Sequence, residues 1–96
     1  MRTKFSMQAK ADLRRIVLRI ARDNPHATKG VYRKLRDRIR LAGRSPRLGR
    51  KVPELDRDDI REAIVGAYRI VYVIEAKAVV IQTIFEGHHL LPDLES

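Results

Sequence analysis

The chain has 96 residues, of which 44% are apolar, and it carries a formal net charge of +9. This length suits one domain over residues 1–96, and the apolar share excludes a mainly disordered chain. The absence of cysteine excludes disulfides and thiolate chemistry, and the longest apolar run, Ile70–Ile74, is far too short to span a membrane. Because no apolar segment follows the basic N-terminus as a secretory signal would require, we expect a cytoplasmic protein.

The positive charge is concentrated in the first half of the chain. Residues 1–51 carry 17 of the 21 Lys and Arg but only 3 of the 12 Asp and Glu. Such an excess favours an anionic partner, either nucleic acid or an acidic protein. The alternative is that arginine serves here as a good helix former, in which case the charges are only solvated helix faces.

Two amphipathic helices are predicted in the basic half. Ser6 is the expected N-cap of the first, and the second is expected to begin with Asn24 as N-cap and Pro25 as its first residue. Gly43 is expected just after the end of the second helix, and the short connection predicts an antiparallel hairpin. The apolar residues at helical spacing are Ala9, Leu13, Ile16, Val17 and Ile20 in the first helix, and Ala27, Val31, Leu35, Ile39 and Ala42 in the second.

Basic side chains occupy the opposite side of each helix. Leu18 lies off the apolar stripe of the first helix, among arginines, and is a candidate apolar anchor. We predict that this surface contacts an anionic partner. Its candidate contact residues are Arg15, Leu18, Arg19 and Arg22 on the first helix, and Lys29, Arg33, Arg36 and Arg40 on the second.

The second half of the chain has the composition of a sheet. Eleven of the 17 Val and Ile residues fall between Ile60 and Ile84. Gly66-Ala67 has the signature of a type II′ hairpin turn, and Ala76-Lys77 is a second candidate turn. Together with Arg2–Phe5 as a further strand, this predicts an α+β fold. We expect a small β-α-α-β-β-β domain whose antiparallel sheet packs on an α-helical hairpin.

The two turns also predict which side chains share a face of the sheet. The face expected under the helices carries Ala63, Val65, Tyr68, Ile70, Tyr72, Ile74, Val79, Ile81, Thr83 and Phe85. The other carries Ile64, Val71, Val73, Val80 and Ile84 together with the polar residues Glu62, Arg69, Gln82 and Glu86. Because these four polar residues gather at one end of an open face, we predict that they form a target-facing surface.

Few residues are candidates for chemistry. Arg69 is either one half of an ion pair with Glu62 or a clamp for a phosphate or carboxylate. His88 and His89 point to opposite sides of an extended segment, so they make a poor metal site, although one of them could act as a general acid or base. We predict no metal and no cofactor.

Two long patterns resemble the RelE/ParE superfamily of type II toxin–antitoxin toxins. They are D-I-R-E-x-x-V-G-x-Y-R-I-V-Y, from Asp59 to Tyr72, and V-V-I-x-x-I-x-E-G-H-H, from Val79 to His89. The upstream A-x-A-D-L-x-x-I at residues 9–16 and the S-P-R-L-G-R-x-V-P-E-L loop at residues 45–55 fit as well. The resemblance implies a toxin neutralised by a co-expressed acidic antitoxin, which would contact the basic helices. Operator DNA would then be reached only through the antitoxin.

The superfamily has two mechanisms. RelE-like members are ribosome-dependent mRNA endonucleases, with two lysines on the strand before Y-R and a C-terminal arginine and tyrosine. Here Ile60 and Glu62 occupy the lysine positions, Arg69 alone matches cleanly, and His89 stands where the C-terminal arginine would be. We therefore favour ParE-like inhibition of DNA gyrase by a protein that is not an enzyme. The alternative is an endonuclease that uses Arg69 with His88 or His89. A plain RNA-binding module is a third hypothesis, disfavoured by the few aromatic residues.

Overall fold

The sheet has five strands in the order β1-β5-β4-β3-β2, and the computed structural model describes residues 1–87. The edge strand β1 is parallel to β5, which is distant in sequence, and the other edge strand, β2, is antiparallel to β3, the next strand along the chain. The predicted α+β class and the element order β-α-α-β-β-β are confirmed, with β2 as an additional strand, but the sheet is mixed and not wholly antiparallel, because β1 runs parallel to β5. The strands are β1 (Arg2–Phe5), β2 (Arg50–Lys51), β3 (Ile60–Val65), β4 (Tyr68–Ile74) and β5 (Ala78–Glu86).

The two helices are α1 (Met7–Asp23) and α2 (Thr28–Arg44). Ser6 caps α1 as predicted, because its hydroxyl accepts a hydrogen bond from the Ala9 amide at 2.9 Å. The predicted start of the second helix is wrong. Pro25–Ala27 form a 3₁₀ turn, and the Asn24 side chain makes no capping hydrogen bond. Tight 3₁₀ turns are common where a helix begins, and this one moves the α-helical start to Thr28.

Gly43 has a different role from the predicted one. It lies inside α2, which ends at Arg44 with Ser45 as C-cap. A Cβ atom at Gly43 would lie 2.6 Å from the Thr3 hydroxyl and 3.0 Å from the Met1 carbonyl oxygen. The glycine therefore allows β1 to approach the last turn of α2 closely.

Both predicted hairpin turns are confirmed. Val65 pairs with Tyr68 across Gly66-Ala67, where Gly66 has a φ of +57°. Ile74 pairs with Val79 across the second turn. The register then shifts in β5, because Tyr72 pairs with Ile81 but Val71 pairs with Thr83. Gln82 is the extra residue of a β-bulge.

This bulge corrects the predicted faces beyond Gln82. Ile84 packs in the core under the helices, whereas Phe85 packs on the other side of the sheet with Val71. Glu86 is paired with Tyr68 and reaches α1, so its predicted place on the open face is wrong. One inserted residue reverses every later side chain, because strand side chains alternate with a period of two.

The main core lies between the helices and one face of the sheet. Leu35 and Ile39 from α2 and Ile16 from α1 are buried against this face, as predicted. The other face has a smaller core that the sequence did not predict, in which Val52, Ile60 and Val71 are buried with Leu55 and Phe85 packed against them. The segment between β2 and β3 therefore covers part of a face expected to be open. The buried strand residues of the main core are Ala63, Tyr68, Ile70, Tyr72, Val79, Ile81 and Ile84.

Candidate functional site

A network of charged side chains lies on the sheet face opposite the helices. Arg69 on β4 is 4% exposed and Glu62 on β3 is 1% exposed, and the two form an ion pair. A second carboxylate, from Glu54, accepts a hydrogen bond from Arg69 at 2.9 Å. Arg50 donates to Glu62 at 2.5 Å from the solvent side, and the Phe85 ring lies 5.6 Å from the Arg69 guanidinium carbon. Two acids, a second arginine and an aromatic ring thus surround Arg69.

This arrangement contains the ion pair of the first hypothesis for Arg69. Burial alone would lower the pKa of its guanidinium, but the hydrogen bonds to Glu54 and Glu62 raise that pKa above its ordinary value. Arg69 therefore stays charged, with its fork occupied by protein carboxylates. The ion-pair hypothesis is confirmed, and the prediction that Glu62 and Arg69 form an open surface is wrong. The segment carrying Val52 and Glu54 shields them.

The other two residues of the predicted target-facing surface lie elsewhere. Arg19 of α1 donates to the Glu86 carboxylate at 3.1 Å and to the Tyr68 hydroxyl at 3.2 Å. The hydrogen bond to Tyr68, followed by the charge of Glu86, raises the pKa of Arg19. Gln82 is half-buried in the bulge, and its carbonyl oxygen accepts a hydrogen bond from the Ser6 hydroxyl at 2.7 Å. The four residues therefore do not form one surface.

The outer side of α1 carries a second set of exposed side chains, four of them small or apolar and one an arginine. Met7 is 88% exposed and Leu18 is 57% exposed. Together with Ala11, Arg14 and Ala21, they recur at alternating spacings of four and three residues, the repeat of a helix-packing seam. We call these five residues the α1 seam. A shallow groove along it is lined by Ala11, Arg14, Arg15, Leu18, Arg19 and Arg22.

The predicted contact residues of α1 thus lie close together, but they are not equally free. Arg22 is 78% exposed in its side chain, and Arg15 is 62% exposed while donating to Asp12 at 3.1 Å. Arg19 is held by Glu86 and Tyr68. Met7 was missed by sequence reasoning. Its signal was available, since Met7 is seven residues before Arg14 and eleven before Leu18 on the same helix face.

The basic residues of α2 form a separate straight stripe. Lys29, Arg33 and Arg40 are exposed, and Arg36 is partly exposed, with Asp37 3.3 Å away. Arg44, which was not among the predicted contact residues, extends the same spacing by one turn. We call these five basic residues the α2 stripe.

Asp12 is a buried acid that sequence reasoning missed. It is 2% exposed on α1, and one of its oxygens accepts from the Thr83 hydroxyl at 2.7 Å and the Ile84 amide at 3.0 Å. Gln8 and Arg15 donate to the other oxygen. Burial by itself would raise the pKa of Asp12, but these four hydrogen bonds together lower it. Asp12 thus joins α1 to β5 directly after the bulge.

Of the three candidate catalytic residues, Arg69, His88 and His89, the structure describes Arg69 alone. His88 and His89 lie outside residues 1–87. Within that range, no cluster of His, Asp and Glu could hold a metal ion. None of the described helices combines the length and apolar character needed to cross a membrane.

Comparison with known proteins identifies the class to which this fold belongs. Residues 3–90 match the family model of the ParE toxin of the type II toxin–antitoxin system parDE. The chain therefore belongs to the ParE family of type II toxins. A chain of a chromosomal ParDE toxin–antitoxin system from P. aeruginosa has the same fold, with a TM-score of 0.75 at 15% identity, over 92% of this chain and 97% of that one. No curated protein matches the sequence significantly.

Proposed function

We propose that this toxin acts by inhibiting DNA gyrase and not by cleaving mRNA. The observation that carries the proposal is the buried pair of Glu62 and Arg69. Phosphoryl chemistry on RNA requires positive groups aimed at the charge that develops on the phosphate. Here the one arginine that matches the nuclease pattern is enclosed by Glu62 and Glu54, so a phosphate would have to displace two carboxylates.

The neighbouring positions support the same proposal. Ile60 and Glu62 stand where RelE-like nucleases would carry lysines, and both are buried, with exposures of 8% and 1%. Ile60 has no ionisable group, and the Glu62 carboxylate, which is paired with Arg50 and Arg69, cannot supply the positive charge that a lysine would. General acid and base groups contribute about 10²–10⁴-fold each to such reactions, so their loss removes most of the catalytic power.

We also propose that an acidic antitoxin docks on the α1 seam. Leu18 and Met7 offer exposed apolar anchors, and Arg14, Arg15 and Arg22 surround them with positive charge. An amphipathic helix with apolar residues at the same alternating spacing, flanked by Asp and Glu, matches this surface. The excess of positive charge in the first half of the chain would speed the encounter with an acidic partner. Because gyrase acts on DNA inside the cell, this function implies a cytoplasmic location.

Two assays test the choice of target. In the first, the purified chain is added to gyrase and relaxed plasmid, and we expect supercoiling to stop. In the second, primer extension is run on translated mRNA after induction, and we expect uncut messages. Adding the cognate antitoxin should restore supercoiling, which controls for nonspecific inhibition by a basic protein.

The decisive variant is His89→Ala, with Leu48→Ala as a control at an exposed position in the loop after α2. If the proposal is right, both variants arrest growth like the wild type. Codon-dependent mRNA cuts that disappear in His89→Ala but persist in Leu48→Ala would overturn the gyrase proposal. They would establish the endonuclease in its place.

A further inference from the structure

The α2 stripe is a straight row of five positive charges. Its members recur at i, i+4, i+7, i+11 and i+15, so they lie within about 80° of the helix circumference. At 1.5 Å per residue, the row extends for about 22 Å. The members are Lys29, Arg33, Arg36, Arg40 and Arg44.

Within residues 1–87, four of these five charges form no ion pair with an acid. Asp37 is the one acid in α2, and it contacts Arg36 at 3.3 Å, with both side chains substantially exposed. Such a surface pair is weak and is readily replaced. No ion pair within residues 1–87 includes Lys29, Arg33, Arg40 or Arg44, although Asp37 lines the same surface depression as Arg40 and Arg44.

The stripe differs from the α1 seam in what accompanies the charge. Protein interfaces obtain most of their binding energy from buried apolar or aromatic anchors. The α1 seam has two such residues in Met7 and Leu18, whereas Tyr32, at the edge of the stripe, is the one large exposed apolar side chain described on α2. A surface that offers charge with so few anchors suits a partner recognised by charge, and nucleic-acid phosphates are recognised in this way.

The shape of the row favours a duplex over a single strand. Proteins that bind single strands stack bases on exposed aromatic rings, and Tyr32 is the one large exposed aromatic residue in the described part of the chain. A rigid line of about 22 Å instead spans the length of about six base pairs along the axis of a duplex, at 3.4 Å per base pair.

We propose that the α2 stripe binds the phosphate backbone of a nucleic-acid duplex directly. This goes beyond toxin action and departs from the expectation that DNA is reached only through the antitoxin. The two roles are compatible, because backbone contacts set affinity and position, whereas base contacts made by a partner would specify sequence.

Fluorescence anisotropy with the full chain tests the proposal. The probes are two labelled 20-bp DNA duplexes of unrelated sequence, a 20-nucleotide single-stranded RNA and a labelled acidic peptide, each titrated at several salt concentrations. We expect equal affinity for the two duplexes. Each lost phosphate contact makes the plot of log K against log salt shallower by about 0.9. The variant Arg33→Gln/Arg40→Gln/Arg44→Gln removes three charges of the stripe. The slope of its plot should therefore be smaller by about three.

A control variant removes three charges elsewhere: Lys10→Gln/Lys51→Gln/Lys77→Gln, all at exposed positions. This control should keep nearly the wild-type slope, and circular dichroism should show that both variants are folded. Equal losses in the two variants would mean that only net charge matters, and would overturn the proposal. The proposal also fails if the stripe variant weakens binding of the acidic peptide or the single-stranded RNA while duplex binding is unchanged.

Discussion

Glu62 and Arg69 lie diagonally across β3 and β4, and their side chains form an ion pair enclosed between the sheet and the segment that follows β2. Glu54 of that segment binds the same guanidinium. The pair therefore fastens a loop onto the sheet, and two carboxylates occupy the Arg69 guanidinium.

The first prediction concerns this pair. Replacing Glu62 with Ala leaves the Arg69 charge buried without its nearest partner, and we expect a loss of about 3–5 kcal/mol in the free energy of unfolding, as when a buried pair is broken from one side. Arg50→Ala is the control, because Arg50 binds the same carboxylate but its side chain is 65% exposed. Its loss should cost less than about 1 kcal/mol. Urea denaturation measures both, and similar losses would contradict the enclosed pair.

A second prediction uses two glycines. A Cβ atom at Gly49 would lie 2.8 Å from the Glu62 carbonyl oxygen and closer still to the Tyr72 hydroxyl, which itself donates to Pro46. Gly49→Ala should therefore destabilise the protein and shift the loop after α2. Gly30, near the start of α2, has nothing within 4 Å of an added Cβ. Gly30→Ala should stabilise by about 0.4–1 kcal/mol. In thermal unfolding, the melting temperature of Gly49→Ala should lie below that of the wild type, and that of Gly30→Ala should lie above it.

Asp12 gives a prediction about pH. Its pKa is lowered from 3.8 in the folded protein, so its contribution to stability is complete above about pH 4 and is lost as the pH falls through the folded value. Asp12→Asn should lower stability at pH 7 by about 2–3 kcal/mol, because the charge-assisted bonds from Thr83 and Ile84 weaken. The free energy of unfolding of this variant should also fall less steeply between pH 5 and pH 2 than that of the wild type.

Asp23→Asn, at an exposed position at the end of α1, is the control for the pH measurement. It should leave both the free energy of unfolding at pH 7 and its decrease between pH 5 and pH 2 close to those of the wild type. If Asp12→Asn unfolds in acid with the same pH dependence as the wild type, the contribution assigned to the buried carboxylate is wrong.

The α1 seam predicts where an antitoxin binds. Leu18→Ser should weaken the complex by about tenfold or more, as expected for an apolar anchor worth more than 1 kcal/mol. Leu48→Ser is a matched control, because Leu48 is 62% exposed but lies in the loop after α2, away from the seam. Isothermal titration calorimetry with the purified antitoxin measures both affinities. Unchanged binding by Leu18→Ser would place the antitoxin on another surface.

The sequence by itself determined the elements and their class. Three of the sequence signals are local: the helical spacing of Leu13 and Ile16 in α1, the cap at Ser6 and the turn at Gly66-Ala67. Each depends on residues within a few positions of one another. For the same reason the pairing of Val65 with Tyr68 and the burial of Ile70 under the helices were predictable.

Only the tertiary structure decided which side chains are available for contact. The bulge at Gln82 reversed Phe85 and Glu86, and no residue type near it marks an inserted position. The burial of Glu62 and Arg69 depends on a loop that returns across the sheet, so spacing along β3 and β4 could not reveal it. Contacts between segments distant in the chain determine exposure, and exposure decides whether a charged residue serves the fold or a partner.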